Sequence, residues 1–313
     1  MRKSAVNIAL IQELMRVLVL GAIRSGTLAL LSLGFTLIYG ISGVVNLSYG
    51  SFFMIGAYAF YAIGVTLAFL LGSTTTLAVV LAVVGAILIV AIIGGSTYRT
   101  TIHPILGDEI GVMVVTVGLA MIFQEIIMII FGFPLKSVRW PEDSFLRGLI
   151  DVLGVAVSYE KILAALASLA LFAALVLFIR RTKTGKAMTA VSQDREVAML
   201  MGVNTNRLYI LTMTVSAMLA SVAGILITTS TTLNAFPFMW MQPLFLAFSI
   251  VILGGLGSIK GSLVGSFIVG YAEVAVTLLI DSSIAGVAPL SVMVIVLLLK
   301  PKGLFGKRIE LEE

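Results

Sequence analysis

The chain has 313 residues, of which 60% are hydrophobic and 11% are charged; its formal net charge is +5, and it has one histidine and no cysteine. A soluble domain has about 25% charged residues, so this composition excludes a water-covered globule. The absence of cysteine excludes disulfides and cysteine metal sites. The basic residues stand in short stretches beside apolar runs, where orientation signals lie, and do not indicate nucleic-acid binding.

Uncharged runs longer than about 18 residues predict membrane-spanning helices. Residues 25–98 and 208–259 contain no charged residue, and shorter uncharged runs cover 162–179 and 282–299. These runs are apolar on every face, whereas the strands of a membrane β-barrel alternate. We therefore predict an all-α polytopic integral membrane protein with about 8–10 transmembrane helices, some of them interrupted by glycine. Residues 1–313 are predicted to form a single transmembrane domain with no soluble domain.

The first element, residues 5–23, is either an amphipathic interfacial helix or a poor first span, because Glu13, Arg16 and Arg24 interrupt its apolar stretch. No small-residue cleavage site follows, so we predict no removable signal peptide. The spans predicted after it are 26–46, 50–71, 76–97, 110–131, 161–179, 208–230, two shorter spans within 241–281, and 286–299.

Lys and Arg in the loops orient these spans, because short cytoplasmic loops carry an excess of both. The 180–207 loop and the tail from Lys300 are rich in basic residues, whereas the 133–160 loop has few. We therefore place the 180–207 loop and the C-terminus in the cytoplasm and the 133–160 loop outside. Counting the spans back from the 180–207 loop places the basic residues near the N-terminus outside. This conflicts with the excess of Lys and Arg expected in the cytoplasm, so the side of the N-terminus stays open.

Many of the 30 glycines lie inside the apolar runs. Either they let membrane helices pack closely, or they interrupt helices that line a pathway. The similarity of the stretches GSFF at 50–53 and GSFI at 265–268 favours the second interpretation, because transporters are often built from repeats. The predicted helix breaks are Gly50, Gly254, Gly255, Gly257 and Gly261.

The 180–207 loop contains a short predicted helix from Asp194 to Met201. Ser192 or Asp194 can cap its amino end, and Gly202 ends it. Its predicted apolar face consists of Val197, Ala198, Leu200 and Met201. A short helix of this kind either docks into a groove on another protein or rests on lipid.

Four stretches of this chain resemble ABC importer permeases, most closely the branched-chain amino acid (Leu/Ile/Val) family. The first has Ala190, Asp194, Ala198 and Gly202 at spacings of four, after RTKTGKA at 181–187, and resembles that family's ATPase-docking loop. The others are GFTLIYG at 34–40 with the stretch following it to residue 58, LGGLGSI at 253–259, and KPKGLFG at 300–306. Within the family, these features look more like the first, smaller subunit of a permease pair.

The resemblance implies half of a translocation pore in a prokaryotic cytoplasmic membrane. A second permease subunit, usually non-identical, would pair with this chain, two cytoplasmic ATPase subunits would bind beneath, and an extracytoplasmic substrate-binding protein would deliver the solute. This chain has no Walker A motif, so it would bind no ATP or other cofactor, and hydrolysis would belong to the partners. The implied ATPase-docking residues are Ala190, Asp194, Arg195, Ala198, Met201 and Gly202.

Polar groups inside apolar spans are costly in lipid and usually face a bundle interior. Each contacts the solute, satisfies a hydrogen bond between helices or sits near the membrane interface. At two positions after Asn46 the family often has a histidine and an acidic residue, where this chain has Tyr49 and Ser51. Urea, short amides or other amino acids are therefore alternative cargoes to branched-chain amino acids. The candidate pathway residues are Asn46, Tyr49, Gln124, Glu125 and Glu273.

Two other functional classes are less compatible with the sequence. An intramembrane enzyme would need a constellation such as Ser with His, paired Asp or a His-rich metal site, and His103 is the one histidine. An ion-coupled secondary transporter would suit glycine-broken helices and buried glutamates. It would not need an ATPase contact, however, so the docking loop disfavours it. No metal site is predicted.

Overall fold

The computed structural model describes the backbone of residues 2–71, 75–133, 136, 148–230 and 235–306, and the side chains from residue 11 onward. Short π and 3-10 turns at Tyr98–Ile102, His103–Ile105 and Ala285–Val287 join some of the helices. The strands β1 (Leu149–Val152) and β2 (Val155–Ser158) form an antiparallel hairpin. The helices are α1 (Arg2–Ser42), α2 (Tyr49–Leu71), α3 (Thr76–Thr97), α4 (Glu109–Phe131), α5 (Tyr159–Arg181), α6 (Lys183–Gln193), α7 (Arg195–Leu200), α8 (Thr205–Ser230), α9 (Met241–Gly254), α10 (Ile259–Leu279) and α11 (Ala288–Leu299).

Seven helical segments among the described residues are long and apolar enough to cross a membrane. Two shorter apolar helices, Met241–Gly254 and Ala285–Leu299, accompany them. A span needs about 20 apolar residues because an α-helix rises 1.5 Å per residue through a core about 30 Å thick. The predicted polytopic all-α fold is therefore confirmed.

The first helix is longer than the sequence predicts. α1 runs unbroken from Arg2 to Ser42, so residues 5–23 and the predicted span after them form one helix. The charges that suggested an interruption are paired in the structure. Arg16 binds Glu13 at 2.9 Å, and Arg24 binds Glu273 of α10. Arg and Glu are also good helix formers, so the helix continues through all three charges although they interrupt the apolar pattern.

The central helix of the bundle is α1. Every residue from Ser25 to Ile38 is buried, and α1 packs against α5, α8, α9 and α10. A helix that is apolar around its whole circumference has to be enclosed by other helices or by lipid. Small residues allow the closest of these contacts, because a Cβ added to Gly26 would lie 3.3 Å from the carbonyl oxygen of Ala165 in α5.

Two helices begin inside the bundle instead of at its end. After Ser42, residues 43–48 leave the helix, and α2 starts at Tyr49, whose hydroxyl donates to the carbonyl of Leu31 at 2.6 Å. Leu31 is eleven residues before the end of α1, which is about 16 Å along the helix. The residue before α9, Trp240, has its carbonyl against Gly50 in the first turn of α2. The starts of α2 and α9 therefore meet at mid-depth.

The sequence predicts helix breaks at Gly50 and Gly261, and both predictions are wrong. Each glycine lies in the first turn of a helix, α2 or α10. An added Cβ would overlap the carbonyl oxygen of Trp240 in one case and of Gly254 in the other, so these glycines permit close backbone contacts.

The backbone does leave the helix after Gly254, where α9 ends. Gly255 and Gly257 have φ angles of 97° and 78°, in the left-handed region that favours glycine. The turn formed by residues 255–258 reverses the chain between α9 and α10, and the Ser258 hydroxyl caps α10 by accepting from the amide of Gly261 at 3.1 Å.

The two ends of the bundle are distinct. A pocket lined by Gly40, Ile179, Met188 and Gly257 brings together α1, α5, α6 and the α9–α10 turn. The amide of Leu304 donates to the carbonyl of Leu253 at 2.9 Å, so the C-terminal segment lies at this same end. The β-hairpin packs against Val19 of α1 and is separated from α6 by the whole of α5, so it lies at the opposite end.

Gly56→Ala is expected to destabilise the bundle, because the new Cβ would lie 2.6 Å from Cα of Ser221 in α8. Overpacking of this kind costs about 1–3 kcal/mol. Gly64→Ala is the matched control on the same helix, because a Cβ there meets nothing within 4 Å. Thermal unfolding in detergent should separate the two variants, and equal melting temperatures would show that the α2–α8 contact is not this close.

Candidate functional site

The segment between α5 and α8 folds into two short helices. Thr182 caps α6 by accepting from the amide of Gly185 at 3.0 Å, and Asp194 caps α7 by accepting from the amide of Val197 at 2.9 Å. α6 covers a stretch for which the sequence predicts no helix. α7 covers Arg195–Leu200, which is shorter than the predicted helix because Met201 already leaves it.

α7 presents an apolar surface to the exterior. Val197, Leu200 and Met201 are 54%, 86% and 79% exposed. Ala198, which the sequence analysis places on the same face, is buried instead, and its carbonyl accepts from the amide of Val203 at 3.1 Å. Ala198 therefore holds α7 against the bundle. We call Val197, Leu200 and Met201 the α7 surface.

The other predicted docking residues lie around this surface. Ala190, Asp194, Arg195 and Gly202 are all exposed. The guanidinium of Arg195 lies 5.5 Å from the ring centroid of Tyr209 at the start of α8, a cation–π arrangement that joins α7 to that span. Gly202 has a φ of 83° and lets the chain turn into α8.

The predicted pathway residues near the start of α2 have different surroundings. Tyr49 is fully buried, with its hydroxyl bound to the Leu31 carbonyl and its ring edge-on to Phe35, so it packs inside the bundle. Asn46 is also buried, and its Oδ1 accepts from the amide and hydroxyl of Ser48 at 2.9 and 2.7 Å. Asn46 lines a cavity that also touches Met213.

Gln124 and Glu125 are neighbours in α4, and the Gln124 amide donates to Oε1 of Glu125 at 3.3 Å. Gln124 is buried, and its Oε1 accepts from the indole Nε1 of Trp240 at 2.7 Å. Glu125 lies on the exposed face of α4, so it does not line a pathway within this chain alone. The Gln124–Trp240 bond fixes the start of α9 against α4.

Glu273 forms a two-pronged ion pair across the bundle. Its two carboxylate oxygens accept from Nη2 and Nε of Arg24 at 2.8 and 2.9 Å. Arg24 is not among the predicted site residues, because its charge is interpreted as an interruption before the first long span. The signal was present, since Arg24 and Glu273 are isolated charges beside or within long apolar stretches.

Helices that start at mid-depth, cavities with polar groups between spans, and an exposed helix pair at one end describe a multi-pass membrane protein with internal cavities. Among the residues that the structure describes, no group of three His, Asp or Glu could hold a metal ion. The family model described as "Branched-chain amino acid transport system / permease component" matches residues 17–299. The chain belongs to this family.

Curated relatives match almost the whole chain. It is 28% identical to the high-affinity branched-chain amino acid transport system permease protein LivH of Escherichia coli (strain K12) over 296 residues, which are 92% of this chain and 94% of LivH. It is 29% identical to BraD, the permease protein of the same description from Pseudomonas aeruginosa, over 93% of this chain and 95% of BraD. The solved structure of PsaBC from Streptococcus pneumoniae in complex with Fab has a TM-score of 0.47 at 14% identity, covering 91% of this chain and 92% of that one.

Trp240→Phe is expected to destabilise the fold by about 1–3 kcal/mol, because it leaves the buried Gln124 oxygen without its donor. The double variant Trp240→Phe with Gln124→Leu removes both partners, so it should lose less stability than the sum of the two single changes. A titration with mixed detergents gives the free energy of unfolding of the single and double variants. Strict additivity would contradict a bond between these two side chains.

Proposed function

We propose that this chain is one membrane-spanning subunit of an ATP-binding-cassette importer that carries branched-chain amino acids into a prokaryotic cell. Membership of the permease family over residues 17–299 is the main support. The relatives LivH and BraD are named as branched-chain amino acid permeases, which supports this cargo over urea and amides.

In this proposal, α6 and α7 dock the ATPase subunits. The α7 surface lies on a short helix outside the spans, and exposed apolar patches of this kind are covered by a partner. The Arg195–Tyr209 contact joins α7 to α8, and the bond from the amide of Val203 to the carbonyl of Ala198 ties α7 to the short link before α8. A movement of a docked ATPase would therefore be transmitted to a long span, which alternating access requires.

The end with the α7 surface faces the cytoplasm in this proposal, and the C-terminal segment lies there too. Cytoplasmic loops are rich in Lys and Arg, and basic residues are concentrated at this end. They are Arg99, Arg180, Arg181, Lys183, Lys186, Arg195, Arg207, Lys260, Lys300 and Lys302. The substrate-binding protein would then approach the opposite end, where the β-hairpin lies.

A second permease subunit is supported by the exposed face of α4. Glu125 lies on this face within a candidate span, beside exposed Met121 and Ile129. An acidic side chain at membrane depth costs about 2.5–3.5 kcal/mol on insertion scales, and such residues usually face protein. Pairing through α4 would remove Glu125 from lipid.

Leu200→Glu is expected to prevent the ATPase subunits from co-purifying with the permeases, because it places a charge in the apolar docking contact. Leu149→Glu is the matched control: Leu149 is 70% exposed, but it lies in the hairpin at the other end. Pairing of the permeases, measured by gel filtration, should survive both changes. Normal co-purification of the ATPases with the Leu200→Glu variant would refute docking through α7.

Proteoliposomes that contain both permeases and the ATPases are expected to take up labelled leucine when ATP and the binding protein are supplied. If the binding protein stimulates ATP hydrolysis without leucine uptake, the importer stands and the cargo is wrong. If this chain alone takes up leucine without ATP, the importer assignment is wrong and a secondary transporter replaces it.

A further inference from the structure

The Arg24–Glu273 pair lies within the spans, toward the end of the bundle opposite α7. Sixteen residues of α1 separate Arg24 from Gly40, which lies at the α7 end, so Arg24 is about 24 Å along the helix from that end. A hydrocarbon core is about 30 Å thick, which places the pair in the half of the bundle farther from α7. The Arg24 and Glu273 side chains are only 18% and 13% exposed.

A cavity opens beside this pair. Its polar lining consists of Arg24, Thr228 and Gln242, from α1, α8 and α9. Its apolar lining includes Leu31, Phe53 and Leu246. One charged group and two neutral polar groups thus face several aliphatic and aromatic side chains. This composition suits a small solute with a polar end and an aliphatic end. We call it the Arg24 cavity.

Arg24 retains binding capacity after it pairs with Glu273. A guanidinium has five N–H donors, and Glu273 uses one on Nε and one on Nη2. The Thr228 hydroxyl donates to the carbonyl of Gly224 at 2.6 Å, so its oxygen lone pairs can still accept. The cavity therefore offers donors for an anion from Arg24 and acceptors for a cation from Thr228 and the Gln242 amide.

A purely structural role explains the pair less well. Replacing a buried ion pair by well-packed apolar residues is often neutral or stabilising, so helix packing alone does not require one. Charges within spans usually mark the route of a solute or ion. Arg24 and Glu273 together are neutral, so the cavity can receive a zwitterion without acquiring a net charge.

We propose that the Arg24 cavity binds the carboxylate and ammonium groups of an aliphatic α-amino acid as it crosses the membrane. Arg24 binds the carboxylate, the oxygens of Thr228 and Gln242 receive the ammonium group, and Leu31, Phe53 and Leu246 contact the aliphatic side chain. Glu273 holds the guanidinium in place. The assignment of an amino acid rests on the proposed function, whereas carboxylate binding by Arg24 can be tested separately.

The test uses the complete transporter in nanodiscs, without binding protein, and measures direct binding of tritiated leucine. Arg24→Gln should weaken this binding about tenfold or more, because a charge-assisted hydrogen bond is lost. Arg16→Gln is the matched control, since Arg16 is also ion-paired on α1 but lies on the surface. 4-Methylpentanoate, which keeps the carboxylate, should compete with leucine, and 3-methylbutylamine, which lacks it, should not.

A charge-swapped variant, Arg24→Glu with Glu273→Arg, separates binding from helix packing. The swapped variant should have a higher melting temperature than Arg24→Gln, close to that of the wild type. It should not recover leucine binding, because the guanidinium now extends from α10. If leucine binding recovers together with the melting temperature, the pair is structural and the proposal is overturned. Equal competition by the amine and the acid would also overturn it.

Failure of the proposed cargo and failure of the Arg24 carboxylate site can be told apart. If the wild-type importer takes up no leucine, the cargo is wrong, and labelled 4-methylpentanoate then tests the cavity directly. Binding of this acid that Arg24→Gln abolishes supports the carboxylate site. If no carboxylate binding depends on Arg24, the site is refuted even when leucine uptake is normal.

Discussion

Backbone groups that leave a helix inside a membrane need partners within the protein, because unsatisfied N–H and C=O groups cost several kcal/mol in hydrocarbon. The segment 43–48 meets this constraint through side chains. The amide of Leu47 donates to the hydroxyl of Thr116 at 3.1 Å, and the amide of Ser48 donates to Oδ1 of Asn46 at 2.9 Å. These bonds allow α2 to begin at mid-depth. The cavities between the spans lie around the irregular segments that such bonds stabilise.

Close packing through small residues completes the architecture. Lipid is as apolar as a leucine side chain, so contact between spans depends on how closely their backbones approach. A Cβ at Gly270 would lie 2.9 Å from Cα of Ser25, and a Cβ at Gly224 would overlap the carbonyl of Phe53. α10 therefore touches α1 at backbone distance, and α8 touches α2 in the same way.

The sequence predicts local features well and long-range ones poorly. Hydropathy locates most spans, and the cap at Asp194 follows from residue type and position. The Arg24–Glu273 pair joins residues 249 positions apart, and no local pattern predicts which charges will meet. Ala198 is misplaced because a helix of six residues has too few turns to define its buried face. Gly50 is misinterpreted because a glycine that breaks a helix and a glycine that admits a neighbouring carbonyl look the same in sequence.

The segment after α11 sets the order in which the α7 end is assembled during synthesis. The carbonyls of Leu253 and Gly254 accept from the amides of Leu304 and Phe305 at 2.9 and 3.0 Å. The donors are made 51 residues after these carbonyls. Ribosomes add roughly 5–20 residues per second, so about 3–10 s pass before the donors are synthesised. The turn after α9 is therefore left open while α10 and α11 enter the membrane. Its closure follows the synthesis of α10 and α11, and a chain truncated near residue 300 would contain both helices but lack the two bonds that close this turn at the α7 end.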